Sequence, residues 1–300
     1  MSPDIGQSGA MTSAPEPGSV LLVTGASSGI GLATAVAAAQ AGFTVVATGR
    51  DLERTAALTE AAAAAGVDVD VRALDVTDAE SVAGCVAGVL ATYGRLDALV
   101  NNAGAAHVST LEIDSMDAIR ATLEVNFFGV VAMSRAAMPH LRASGGRLVT
   151  ISSVGGIVGQ PFNEAYCAAK FAVEGFMESL APVAATVGVK VSVVEPGAVA
   201  SAFVANAGLD LPTMLATAGP YAPALTGYAG HVGASFAKAQ TSEEAGAVVV
   251  ATLLAANPAF RVQTSDTARS FVSVKLADLT GHAVQGLMST WVVPPAAPVA

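Results

Sequence analysis

Ser19-Val20-Leu21-Leu22-Val23-Thr24 runs directly into Gly25-Ala26-Ser27-Ser28-Gly29-Ile30-Gly31, and an alanine-rich stretch from Leu32 to Ala41 follows. The first six residues are an apolar run of strand length with turn residues behind it. The glycines end the strand, and the composition after them is that of a helix. Strand, glycine turn and helix in this order make an anion site. The first N–H groups of the helix have no partner, and the helix dipole adds positive potential where they point. Such a turn suits a dinucleotide pyrophosphate. The spacing is G-x-x-x-G-x-G, and its place between a first strand and a helix gives it a weight that glycines alone lack.

The alternation continues outward from there. Thr44 to Thr48 reads as a second strand ending in Gly49-Arg50-Asp51. In a dinucleotide fold this strand end meets the adenosine ribose. Gly49 leaves room, and the planar fork of Arg50 can grip a 2′-phosphate, which predicts NADP(H) in preference to NAD(H). Asp51 reads equally as a helix N-cap. A helix over 51–65 stops at Gly66, and a strand over 67–74 leads to Asp75-Val76. There the carboxylate either accepts from an adenine amino group or, like Thr77, caps the helix over 78–93. Leu96 to Val100 is a fourth strand, ending in Asn101-Asn102-Ala103-Gly104. Those small residues let backbone approach a ring or ribose, or simply make a turn. Met116 to Leu141 is a long helix in which Pro139 predicts a late break or kink. Asn126 is a poor residue for mid-helix, so it serves either the site or a core polar contact. Strands follow at 147–151, at 189–194 leading to Pro196-Gly197, and at 260–263, with a helix over 242–256 opened by Ser242 as N-cap. This pattern predicts one Rossmann-type, doubly wound α/β domain over 19–293, with about seven parallel strands and helices on both faces. A second glycine-turn unit is missing, so no second domain is expected. The tails 1–18 and 294–300 read as disordered.

The chemistry concentrates between Ser152 and Lys170. Ser153 follows the fifth strand, Tyr166 lies thirteen residues later, and Lys170 is four residues beyond that. On the helix over 163–187 a spacing of four places Tyr166 and Lys170 on one face. Y-x-x-x-K is frequent by chance, and the serine together with the nucleotide turn gives it meaning. A lysine charge about 4 Å away would pull a phenol well below its usual value of about 10, suiting it to general acid–base work.

Composition narrows the function classes. The chain has 300 residues, a formal net charge of −10, 53% hydrophobic residues and 5% aromatic ones. The acidic balance argues against a nucleic-acid groove or an anionic membrane surface. Cys85 and Cys167 make no disulfide framework, and no metal site is expected. The longest apolar run, Ala245 to Ala256, is too short to span a bilayer, and the N-terminus has no secretory pattern, so a cytoplasmic location is expected. Residues 198–240 are rich in Gly, Ala and Pro with weak periodicity, as in a substrate lid. His231 within them is either structural or a hydrogen-bond partner for a distal substrate oxygen.

Taken together, Gly25-x-x-x-Gly29-x-Gly31, Asn101 to Gly104, Asn126, Ser153, Tyr166-x-x-x-Lys170 and Pro196-Gly197 resemble the short-chain dehydrogenase/reductase family over about 19–263. The run Ser153-Val154-Gly155-Gly156 through Tyr166-Cys167-Ala168-Ala169-Lys170-Phe171 is similar to its 17β-hydroxysteroid dehydrogenase type 1 and retinol dehydrogenase branch. The stretch 261–276 is similar more loosely. The resemblance implies that Tyr166 exchanges the carbinol proton, Ser153 orients that oxygen, Lys170 holds the nicotinamide ribose and lowers the phenol pKa, and Asn126 lines a water relay. It implies that Gly25, Ser27, Ser28, Gly29, Ile30 and Gly31 border the pyrophosphate and that Asp75 and Val76 frame adenine. Asn102, Ala103 and Gly104 would lie along the ribose, Pro196, Gly197 and Val199 against the nicotinamide, and Ser201 at its carboxamide. The implied substrate is an apolar ketone or secondary alcohol, and the implied assembly a homodimer or homotetramer. Other readings are a same-family reductase of a small ketone, polyketide or acyl intermediate, and a non-catalytic NADP(H) sensor. A nucleotide-sugar epimerase has a different glycine spacing.

Overall fold

The computed structural model describes residues 14–294 apart from 202 and 204–209, so most of each expected tail lies outside the described residues. Seven strands carry the architecture: β1 (Val20–Val23), β2 (Thr44–Gly49), β3 (Asp70–Ala73), β4 (Ala98–Asn101), β5 (Arg147–Ile151), β6 (Lys190–Glu195) and β9 (Arg261–Gln263). They form one sheet in the order β3-β2-β1-β4-β5-β6-β9, with every pairing parallel. A small parallel pair, β7 (Val199–Ala200) and β8 (Gln240–Thr241), stands apart from it.

Strands buried on both faces need apolar cover on both sides. One core packs the sheet against α3 (Ala79–Tyr93), α5 (Gly129–Ser144) and α6 (Glu164–Ala185), through residues such as Val86, Met133, Leu141 and Met177. The other packs it against α1 (Gly29–Gln40), α2 (Ala56–Ala64) and α9 (Ser242–Leu254), through Ala35, Leu58, Val249 and Leu253. Strand order reverses between β1 and β4, so the connections leave in opposite directions and open a crevice beyond the strands' carboxyl ends.

Several local expectations change. Pro139 does not end its helix, because α5 continues to Ser144 and closes on the left-handed Gly145. Ahead of α5, α4 (Met116–Leu123) passes into a π-helical turn, Glu124–Phe128, which holds Asn126. That wider turn explains an asparagine in mid-helix: its side chain is fully buried and bonds backbone. The N-cap of α9 is Thr241, not Ser242, in a capping box with Glu244. The cap of α3 is Asp78, which accepts from Glu80 N at 3.0 Å.

The weakly periodic region after β6 is largely helical where described. It contains α7 (Leu211–Thr217) and α8 (Ala222–Phe236), each with proline in its first turn. Two further helices, α10 (Asp266–Ala277) and α11 (His282–Trp291), follow β9. They bury Val272, Val284 and Met288 against Val154 and Ile157, just beyond the end of β5. None of the described helices is long and apolar enough to cross a membrane.

Candidate active site

The crevice holds one continuous cavity of about 1670 Å³. Its lining includes all the expected site residues except Gly31 and Asn126. At one end lies the turn from β1 into α1. Gly25 (φ 66°) and Gly29 (φ 60°) adopt left-handed backbone that disfavours any side chain. A Cβ on Gly25 would fall 2.7 Å from the Ala103 Cα, and one on Gly29 would fall 3.2 Å from the Ser201 Cβ. Ser28 caps α1 without a side-chain hydrogen bond, so the first N–H groups of that helix stay available to an anion. These open N–H groups suit an anion such as a phosphate, and a side chain at Gly25 or Gly29 would press on Ala103 or Ser201 beside them.

Asn102 works behind that turn. Its Nδ2 donates to Thr24 O at 2.9 Å and Gly25 O at 2.8 Å, while Thr24 Oγ1 accepts from Asn102 N and Ala103 N. A Cβ on Gly31 would land 2.3 Å from that Nδ2 and 2.5 Å from Gly25 O. Gly31 is therefore a packing glycine rather than a wall of the cavity. Gly31→Ala is expected to destabilise the fold by about 1–3 kcal/mol through overpacking, measurable as a lower melting temperature. An unchanged melting curve would show that Asn102 can swing away at no cost.

At the far side of the turn, Arg50, Asp51, Arg54, Asp75 and Val76 line the cavity. Asp75 Oδ1 accepts from Thr77 Oγ1 at 2.7 Å and from Thr77 N at 2.9 Å. Those Thr77 donors, helped by the nearby Arg50 charge, hold the Asp75 carboxyl below its ordinary range. The aspartate is thus partly spent on its own turn.

Ser153, Tyr166 and Lys170 converge at the carboxyl end of β5. Ser153 opens a short 3₁₀ turn, and its Oγ accepts from Gly155 N at 3.0 Å. A Cβ on Gly155 would press on Ser153 Oγ at 3.3 Å and touch Tyr166 Cε1 at 3.4 Å, so glycine there leaves the two hydroxyl-bearing residues room. Lys170 is 4% exposed and donates from Nζ to Ile151 O at 3.0 Å. Its Nζ sits 5.8 Å from the centre of the Tyr166 ring.

The electrostatics correct the sequence expectation. Tyr166 is half-buried and lines the cavity. Burial pushes its pKa up to about 12, outweighing the Ser153 hydroxyl that pulls the other way. Burial also pushes Lys170 down to about 8, against the Glu174 charge that favours the ammonium. The phenol is left less acidic than usual, because removing water disfavours the phenolate more than the Ser153 hydrogen bond favours it.

Asn126 stands behind this group. Its Oδ1 accepts from Ala105 N at 3.2 Å, and its Nδ2 donates at 3.0 Å to both Ala105 O and Thr122 O. The side chain is committed to backbone and pins the loop after β4.

The other end of the cavity is apolar. Met214, Leu225, Tyr228, Phe271 and Trp291 line it. His231 stacks on Trp291 with ring centroids 3.9 Å apart, and Phe271 lies on the indole at 5.8 Å. Tyr228 OH accepts from Asn163 Nδ2 at 2.8 Å. Sequence reasoning missed Phe271 and Trp291. Residues 264–293 had no assigned elements, although Ser265 and the apolar spacing after it mark a capped helix.

Residues 19–211 match the short chain dehydrogenase family, and the chain belongs to it. It is 47% identical over 191 residues to estradiol 17-beta-dehydrogenase 1 of Rattus norvegicus, a match covering 61% of this chain and 55% of the rat protein. It thus spans about half the length of that relative. It is 37% identical over 276 residues to retinol dehydrogenase 8 of Bos taurus, covering 87% of this chain and 86% of the bovine one. A crystal structure of a short-chain dehydrogenase from Streptomyces avermitilis superposes with a TM-score of 0.73 at 34% identity, over 92% of this chain and 97% of that one.

Proposed function

We propose that the protein is an NADP(H)-dependent oxidoreductase that interconverts a secondary alcohol and a ketone on an apolar substrate. The observation that carries this reading is the shared cavity: an anion cradle at one end, Ser153, Tyr166 and Lys170 in the middle, and an aromatic and aliphatic chamber beyond them. Its volume of about 1670 Å³ exceeds the usual single-ligand pocket of roughly 300–1,000 Å³, leaving room for a dinucleotide and a second molecule. The chamber's lining suits a ring-like or long-chain compound such as a steroid or retinoid. The names of the rat and bovine relatives point the same way.

The cradle at Gly25–Gly29 and the α1 N-terminus would hold the pyrophosphate, Arg50 the 2′-phosphate, Val76 the adenine, and Pro196, Gly197, Val199 and Ser201 the nicotinamide. When bound, the nicotinamide supplies or accepts the hydride. The chain's own residues handle the proton. Tyr166, with a pKa near 12, carries its proton throughout the neutral range and stands ready as the acid for ketone reduction. Ser153 steadies the substrate oxygen beside it. Lys170 is the nearest ammonium and the group whose charge changes near neutrality, at about 8. Phe128, Phe176 and Val183 on the long helices are exposed and suit contact with a second copy, as a homodimer or homotetramer.

A panel of ketones and alcohols, each with both reduced and both oxidised nicotinamides, tests the reaction by absorbance of the reduced ring. No turnover with any carbonyl, alongside tight NADPH binding, would favour the sensor reading. Arg50→Asp is expected to weaken NADPH binding at least tenfold relative to NADH, read by fluorescence titration, because one charge-assisted phosphate pair is replaced by repulsion. An unchanged ratio of the two affinities would remove Arg50 from the 2′-phosphate.

A further inference from the structure

Behind Lys170 lies a buried acidic cluster that the reaction above does not use. Glu174 is one helical turn beyond Lys170 on the same face of α6 and is 4% exposed. Glu195, fully buried, ends β6 directly before the Pro196-Gly197 wall of the cavity. Arg261 on β9 serves them both. Its Nε donates to Glu174 Oε2 at 3.1 Å and lies 3.4 Å from Glu195 Oε1, while its Nη2 donates to the exposed Glu178 at 2.8 Å. Gln263 Nε2 donates to Glu195 Oε2 at 2.9 Å. Glu174 Oε1 and Glu195 Oε1 are buried without a close hydrogen-bond partner, and the Ser152 hydroxyl lies near enough to Glu174 to favour its carboxylate. Ser152 Oγ and the Glu174 side chain both crowd Gly156, whose Cβ would meet them at 2.5 and 3.0 Å.

Two carboxylates away from water, sharing one guanidinium that a third carboxylate also claims, do not both ionise readily. Ser152 brings one hydroxyl donor to this set, fewer than its carboxylate oxygens could use, and a carboxyl that keeps its proton adds a second. We propose that Glu174 and Glu195 form a buried carboxyl pair holding one proton at neutral pH, and that the pair sets the charge of Lys170 and so the pH range of the active site. Both are positioning residues, since neither lines the cavity. The groups facing the pair are Lys170 and Glu178 from α6, Arg261 and Gln263 from β9, and Ser152 from the end of β5. Burial pushes Glu195 up to about 7 and raises Glu174 as well, in each case against the pull of Arg261. Protons in such a pair belong to both acids.

The functional half rests on the role proposed above for Lys170, and the experiment separates the two. In the cofactor-free, full-length protein, a raised carboxyl pKa stabilises the fold fully below its ordinary 4.5, and that contribution disappears as pH rises through about 7. The melting temperature should therefore fall between those values, and Glu195→Gln should flatten the fall. In the pH dependence of ketone reduction, Glu174→Gln should move the alkaline limb toward acid by about one pH unit or more, since Lys170 loses the charge that holds its proton. NADPH affinity at pH 6 should stay within about twofold, which a general structural defect would not allow. A Glu195→Gln protein with the wild-type slope of melting temperature against pH overturns the shared proton, whether or not any activity is found. An unmoved alkaline limb in folded, active Glu174→Gln overturns the link to Lys170. If Glu174→Gln does not fold, the Glu195→Gln slope still decides.

Discussion

Tyr166→Phe should lower turnover about a thousandfold and leave NADPH binding almost unchanged. Placing a general acid is worth roughly 10²–10⁴ in rate, and the phenylalanine removes that hydroxyl and nothing else. The ring keeps its edge contact with Phe203, 6.1 Å between centroids. Its stability should change by less than about 1.5 kcal/mol, the net value of one neutral hydrogen bond. The measurement is steady-state kinetics beside a fluorescence titration with NADPH. More than a tenth of wild-type turnover would take the acid's role away from Tyr166. The wild-type pH dependence adds a check. A phenol near 12 does not titrate between pH 6 and 10, so any alkaline limb near 8 in ketone reduction belongs to Lys170. A limb that survives when Lys170 is replaced would break that assignment.

The sheet was legible because most of its strands are short apolar, valine-rich runs closed by turn residues, and strands of this kind answer to local sequence. The glycine turn was legible for a related reason: a left-handed backbone admits few other residues. The one-turn spacing of Tyr166 and Lys170 likewise follows from helix geometry alone. What failed depended on surroundings that sequence does not carry. The phenol pKa follows in sequence from one neighbour's charge, whereas burial in the fold decides it. For Asn126 the sequence leaves a site role and a core polar contact open, and the π-helical turn and the Ala105 backbone that make the polar contact have no local signal. The apolar chamber is assembled from α7, α8, α10 and α11, which come together only in the folded chain, so the stack of His231 on Trp291 has no local signal. The helices after β6 are poor in strongly amphipathic spacing. They gain their order from packing of Leu225 and Tyr228 against Phe162.

Lys170→Met should abolish activity and yet give a protein that melts higher at neutral pH. Holding an ammonium inside the fold is unfavourable: the lysine's ordinary 10.5 falls to about 8. That difference corresponds to about 3 kcal/mol at pH 7, where both the folded and unfolded chains carry the charge. Methionine fills nearly the same space without the charge. The attraction of Glu174 is already contained in that shift, so against the gain stands the lost hydrogen bond to Ile151 O, worth about 1 kcal/mol. A net gain of about 1–2 kcal/mol is expected, or a few degrees in a domain of this size. The sign of the pH dependence follows from the direction of the shift. Above 10.5 neither chain is charged and the penalty is absent; below about 8 it is complete, so wild-type stability should rise between those values. Lys170→Met should lack that rise, and thermal melts from pH 7 to 11 measure it. A variant less stable than wild type at every pH would mean that the ammonium is held by the fold for the fold's own sake. A variant more stable and inactive would mean that the charge is kept at the expense of stability, as expected of a group whose partner is a bound ligand.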